Sequence, residues 1–264
     1  MTAESMVLAL ALLGGTSLER GVTALNKSRF EEALTLLLSA ENEGPYAHAD
    51  YVRLHEQLGI VYAYIDRPED AARAFDTLLT LDPGHVLPYT LSPKVTFLFE
   101  RARKQSDRRA APELDVSWPR GLEVERPVPI TLEVVSDPKK LMKKAVLFRR
   151  LKGAARFEPP ITVDLKGSGY EEVTLPPVAA NATHDETLEF HVAVLDPRGN
   201  EIFKVADAAS PREILLSYVP PPPWHRRWWV WAITATVAAG ATGLVVYKIL
   251  DRPPDLLSGP ATWN

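Results

Sequence analysis

Twenty consecutive residues, Trp228 to Tyr247, carry no formal charge and read WWVWAITATVAAGATGLVVY. A helix rising about 1.5 Å per residue would carry a segment of that length across a hydrocarbon layer of about 30 Å. Trp224, Trp228, Trp229 and Trp231 gather at one end and Tyr247 stands at the other, with Arg226, Arg227 and Lys248 as brackets. Amphipathic aromatics and flanking cations suit the two headgroup zones. The expectation is a single C-terminal transmembrane helix over 228–249. Ala235, Ala239 and Gly243 form a row of small residues at intervals of four. Such a row lets two spans pack closely, so a homo-oligomer or a place in a larger complex stays open. Pro220 to Pro223 predict a stiff linker over 220–227, and 250–264 reads as a short irregular tail.

The rest of the chain is different material. Residues 1–110 and 111–219 each carry a net charge of -3, whereas 220–264 carry +2. The resulting total of -4 gives no bulk attraction for nucleic acid. The absence of cysteine excludes disulfides, thiolate metal sites and thiol nucleophiles. Among the histidines, His48, His55, His85, His184, His191 and His225, no pair has metal-ligand spacing and none accompanies a glycine-flanked serine. His184-Asp185-Glu186 could touch a metal, but a turn before a strand explains it as well. Asn181-Ala182-Thr183 is a sequon of a kind that arises by chance. No phosphate-cradling glycine loop is present. The sequence therefore predicts no enzyme, no cofactor and no metal site.

Residues 16–106 predict a helical domain with an internal repeat. Gly21, Ala33, Leu37 and Ala40 stand 38 positions before Gly59, Ala71, Phe75 and Leu78. In the second copy, Gly59, Tyr62, Ala71, Phe75 and Pro83 follow the order small, aromatic, alanine, aromatic, helix-ending proline. This pattern over residues 17–84 resembles the tetratricopeptide repeat family, whose period is about 34. The surplus falls in the turn ENEGPYAHAD. The resemblance implies stacked helical hairpins, with Gly59 and Ala71 small where two helices cross and Phe75 filling the wedge. It implies a groove for a protein or peptide partner, lined by Arg20 and Asn26 in the first hairpin and Arg53, Gln57 and Tyr64 in the second. Arg53 and Gln57 are four apart and so share a helical face, suited to a partner's backbone or carboxylate. Asp66 is expected to cap the following helix, and Ser92-Pro93 to open a terminal capping helix over 92–106.

Residues 112–219 change period. The stretches LDVSW, VPITLEVV, AVLFRRL, ITVDL, EEVTL, LEFHVAVLD, EIFKVA and EILLSYV read as strands. The clearest hairpin turns at Asp196-Pro197-Arg198-Gly199-Asn200. The pattern resembles immunoglobulin-like modules and predicts an all-β sandwich. Within it, KKLMKKAVLFRRLKG is basic and free of acids. Lys139, Lys140, Lys143 and Lys144 are candidates for an anionic surface contact, against the simpler reading of a solvated turn. Alternation in the adjoining strand is expected to put Val146 and Phe148 inside and Arg149 outside.

The fold class expected is thus multidomain: tetratricopeptide-like helical hairpins, an immunoglobulin-like β-sandwich and one transmembrane helix. Residues 1–15 include the apolar run MVLALALLGG, either a leader or an extra helix. The arrangement resembles membrane-anchored repeat proteins of Gram-negative envelopes. That resemblance implies an inner-membrane protein with a periplasmic body. The alternative is a tail-anchored protein with a cytoplasmic body. The implied function is a non-enzymatic adaptor or scaffold that binds another protein, with a constitutive subunit of a membrane machine as the alternative.

Overall fold

The computed structural model describes residues 17–108, 110–167, 169–178 and 182–220. Five helices come first: α1 (17–26), α2 (Phe30–Glu43), α3 (His48–Tyr64), α4 (Pro68–Leu81) and α5 (Pro93–Ser106). Eight strands follow: β1 (Glu113–Ser117), β2 (Val128–Ser136), β3 (Lys144–Leu151), β4 (Ile161–Asp164), β5 (Gly169–Leu175), β6 (Glu186–Leu195), β7 (Glu201–Val205) and β8 (Arg212–Leu216).

The helices pack through small residues placed under large ones. A Cβ on Gly59 of α3 would collide with the Phe75 ring of α4. A Cβ on Gly21 of α1 would lie 2.8 Å from Leu37 Cδ2 of α2, the same arrangement one hairpin earlier. Phe75 is fully buried and meets Phe99 of α5 edge to face, with centroids 5.4 Å apart. Val95, Leu98, Phe99 and Ala102 bury the inner stripe of α5. The caps differ from expectation. Arg67 rather than Asp66 occupies the N-cap of α4. Asp66 takes a left-handed φ of 61° after α3 and accepts a hydrogen bond from Lys94 Nζ at 2.7 Å. Ser92 is the N-cap of α5, but its hydroxyl makes no capping bond, so the start of α5 rests on Pro93.

The β region forms two antiparallel sheets, one of order β1-β2-β5 and one of order β4-β3-β6-β7. β6 is central. It pairs with β3 along one edge, while β8 and β7 share its other edge in tandem, opposite 186–190 and 192–195. Leu188, Phe190, Val192 and Val194 of β6 stand across from Leu151, Arg149, Leu147 and Ala145 of β3. This inner face joins Leu114, Val116, Val128, Ile130 and Leu132 of the smaller sheet in one buried cluster.

The expected burial of β3 is inverted. Ala145, Leu147 and Arg149 face inward, while Val146 and Phe148 lie on the other face. Arg149 can be buried because its guanidinium pairs with Glu158 at 2.6 Å and donates to the Pro176 carbonyl at 2.7 Å. On the opposite face Phe148 stacks on His191 and Phe157 closes over it, so both faces of the strand are apolar. Alternation read by polarity fails where a strand is covered on both sides.

Helices and sheets make one compact unit ending at Tyr218. The hairpin turn 196–200 plugs into the α2–α3 connection. Asn200 Oδ1 accepts the Tyr46 N–H at 2.9 Å, and the Glu201 N–H donates to the Tyr46 carbonyl at 2.9 Å. Gly44 is required there, since a Cβ would lie 2.6 Å from Asn200 Oδ1. Asp196, buried, accepts from the backbone N–H of Arg198 and Asn200 and from Asn200 Nδ2. The Tyr51 hydroxyl of α3 also bonds to it, and burial with the Asp196 charge holds that phenol well above its ordinary range.

The expected architecture of repeat domain, immunoglobulin-like sandwich and transmembrane helix is corrected accordingly. The described chain is five helices followed by a β region of two antiparallel sheets. Among the described residues no helix is long and apolar enough to cross a membrane. α3, at 17 residues, carries Asp50, Arg53 and Glu56. Residues 1–15, 221–227, 228–249 and 250–264, His225 and Asn181 lie outside the described residues.

Candidate functional site

A hollow of about 430 Å³ opens on the helical part of the molecule. Leu25, Asn26 and Ser28 from the end of α1, Phe30 from α2, and Glu56, Gln57, Ile60 and Tyr64 from α3 line it. Pro88, Thr90 and Leu91 of the α4–α5 connection complete it. The helical spacing of α3 makes this wall. Glu56, Ile60 and Tyr64 are four apart, and Gln57 lies beside the first of them. Phe30 stacks on Tyr64 with centroids 4.7 Å apart and an interplanar angle of 17°, bridging the two hairpins at the hollow's edge.

The structure thus brings Asn26, Gln57 and Tyr64 together. Arg53 lies one turn earlier and its guanidinium is engaged by both carboxylate oxygens of Glu19 in α1. Arg20 is exposed on α1 and does not line the hollow. The α4–α5 connection was missed in the sequence because it reads as a boundary. Its signal was the cluster Val86, Pro88, Tyr89 and Leu91, too apolar for a free loop. Tyr89 is 98% exposed and Val86 69%, so this connection presents apolar surface to solvent.

Among the described residues, the only formally charged side chain in the lining is Glu56. Its carboxylate lies 3.3 Å from His85 Nε2, and His85 Nδ1 lies 3.2 Å from Asp82 Oδ2. The Arg103 guanidinium donates to the His85 carbonyl, pairs with Glu100 and covers the Phe99 ring at 4.7 Å.

The basic run of the β region is divided by its partners. Lys139 pairs with Asp76 of α4 at 2.7 Å, which ties the β2–β3 connection to the helices. Arg150 pairs with Glu189 at 2.6 Å, and Lys152 with Glu213 at 2.7 Å. Lys140, Lys143 and Lys144 are exposed. His184 pairs with Glu186 at 3.0 Å, and among the described residues no group of three side chains could hold a metal.

His55 is buried against Tyr51, edge to face at 4.8 Å, and neither ring nitrogen has a hydrogen-bond partner. Burial, with Lys139 nearby, pushes its imidazole down to about 4. Burial lowers His191 too. The sign follows from which state takes the proton. Above the ordinary value of 6.5 both folded and unfolded His55 are neutral and its contribution is fully present. Between 6.5 and about 4 only the unfolded chain binds the proton, so stability falls with falling pH. The total for His55 is on the order of 3 kcal/mol. Urea melts between about pH 7.5 and pH 4.5 should show this slope, and His55→Leu should flatten it. An unchanged slope in the variant would assign the acid sensitivity elsewhere.

No protein-family model matches the chain, and no curated protein matches it.

Proposed function

We propose that the chain is a non-catalytic adaptor that captures a segment of another protein in the helical hollow, while the β region serves as a rigid base. The carrying observation is the hollow itself. It is walled by two hairpins and a connection, with Tyr64 exposed and Phe30 and Leu91 half-buried along it. A hollow of about 430 Å³ suits a few side chains of an extended segment, and its polar fringe of Asn26, Ser28, Gln57 and Thr90 can meet a peptide backbone. The resemblance of residues 17–84 to tetratricopeptide repeats supports the same reading. The rigid base follows from the Asp196–Asn200 turn held by Tyr46 and Tyr51.

A photo-cross-linking residue at Thr90 or Tyr64, introduced into the full chain in cells, tests this. It should yield an adduct of defined mass that the same residue at Thr162 of β4 does not. Asn26→Ala with Gln57→Ala should abolish the adduct while changing stability by less than about 0.5 kcal/mol, because both side chains are at the surface. Adducts from Thr162 alone would move the gripping element to the β region.

A further inference from the structure

We propose that the segment seated in the hollow presents a lysine or arginine, with its head group on Glu56 and its aliphatic stem on Leu25, Ile60 and Leu91. The inference deepens the adaptor reading and rests on it. Three observations carry it.

The first is the charge of the lining. Of the described side chains that form the hollow, Glu56 alone carries a formal charge. The second is the charge around it. The cations that could neutralise Glu56 or attract an anionic segment are engaged: Arg53 by Glu19, Arg29 by Glu32, Lys94 by Asp66 and Arg103 by Glu100. Lys27 in the α1–α2 turn is exposed and lies outside the lining. The near neighbours of Glu56 are His85, charged only when protonated and shared with Asp82, and the neutral Gln57 amide, which donates to it at 3.4 Å. Two carboxylates therefore flank one imidazole beside the hollow.

The third is shape. Leu25 and Ile60, almost fully buried, floor the hollow, and the half-buried Phe30 and Leu91 add apolar surface beside the Glu56 carboxylate. Lys and Arg match that order, with a methylene stem that prefers apolar surface and a head that needs an anion. A carboxylate-bearing segment would meet Glu56 in the same half-enclosed space and be repelled.

The test uses the full chain and a fluorescein-labelled nonapeptide of glycine, serine and leucine with one central lysine. Companion peptides replace that lysine by norleucine, which keeps the stem without the charge, or by glutamate. Fluorescence anisotropy should rank lysine first, with norleucine weaker by about tenfold or more and glutamate weaker still. Glu56→Gln should bring lysine and norleucine to within about threefold, and Glu56→Lys should reverse the order of lysine and glutamate. Glu56 is partly buried, and matched melts of the two variants control for folding.

Equal affinity for lysine and norleucine, with both lost in Tyr64→Ala, would overturn the cation while leaving the hollow as the binding element. A preference for glutamate, or a lysine preference that Glu56→Gln leaves intact, would overturn it also. If neither the lysine nor the norleucine peptide binds, the adaptor reading and this inference fail together.

Discussion

Phe75→Ala is expected to destabilise the chain by about 3–5 kcal/mol, the range for emptying a fully buried aromatic site. Phe75 is where two contacts meet. Its ring lies against the bare backbone of Gly59 on one side and against the edge of Phe99 on the other. Removing the ring leaves a void whose walls are helix backbone at Gly59 and a ring fixed in α5, neither of which can collapse into it. The converse change, Gly59→Ala, should also destabilise, because its Cβ would overlap the ring. The pair is diagnostic together. In the Phe75→Leu background the smaller side chain makes room, so the cost of Gly59→Ala should fall by about 1 kcal/mol or more. Chemical denaturation of the four variants measures that coupling. Additive costs would mean that α3 and α4 adjust their distance instead of holding it at Gly59.

This contact shows what the sequence carried well. The match of Gly21 and Leu37 with Gly59 and Phe75 was visible as spacing, because close helix crossings need a small residue at a fixed offset from a large one. Each of the eight strands lies within a few residues of its sequence reading, because turns and alternation are local signals. What was not legible depends on partners from distant segments. Asp66 looked like a cap, but the chain takes a left-handed residue there and its carboxylate goes to Lys94, 28 positions away. Arg149 looked solvent-facing, since nothing near it in sequence announces that Glu158 and the Pro176 carbonyl will meet it inside. At the hollow, α3 could be placed by its period, whereas Pro88, Thr90 and Leu91 arrive through a connection with no period of its own. The same holds for Glu19, which takes up Arg53 from the neighbouring hairpin.

The α2–α3 connection leads to the second large expectation. In the sequence it reads as a turn holding surplus residues, yet it receives the 196–200 turn. Asp196→Ala should therefore cost about 2–4 kcal/mol, because several buried neutral donors lose their acceptor at once. Four donors would lose their acceptor: the backbone N–H groups of Arg198 and Asn200, the Asn200 side-chain amide and the Tyr51 hydroxyl. The effect should not stay within the β region. Asn200 is oriented by Asp196 and in turn holds the Tyr46 N–H, so its release frees the helical side of the contact as well. Lys139 with Asp76 and Arg198 with Glu41 would remain as the ion pairs across this boundary. The exposed Arg198 pair contributes only about 0–1 kcal/mol, and Lys139 with Asp76, one pair, does not replace the lost network. Far-ultraviolet circular dichroism should follow the helices, and fluorescence of Trp118, which lies edge-on to Phe190, should follow the sheets once the other five tryptophans are replaced by phenylalanine in parent and variant alike. In the parent the two signals should melt together. In Asp196→Ala they should separate, with each part unfolding at its own midpoint. Tyr51→Phe provides the internal check, because it removes one donor, and the cost of Asp196→Ala in that background should shrink by about 1–2 kcal/mol. Coincident melts in Asp196→Ala, with a loss under about 1 kcal/mol, would show that the packing of α3 against β7 joins the two parts without this carboxylate.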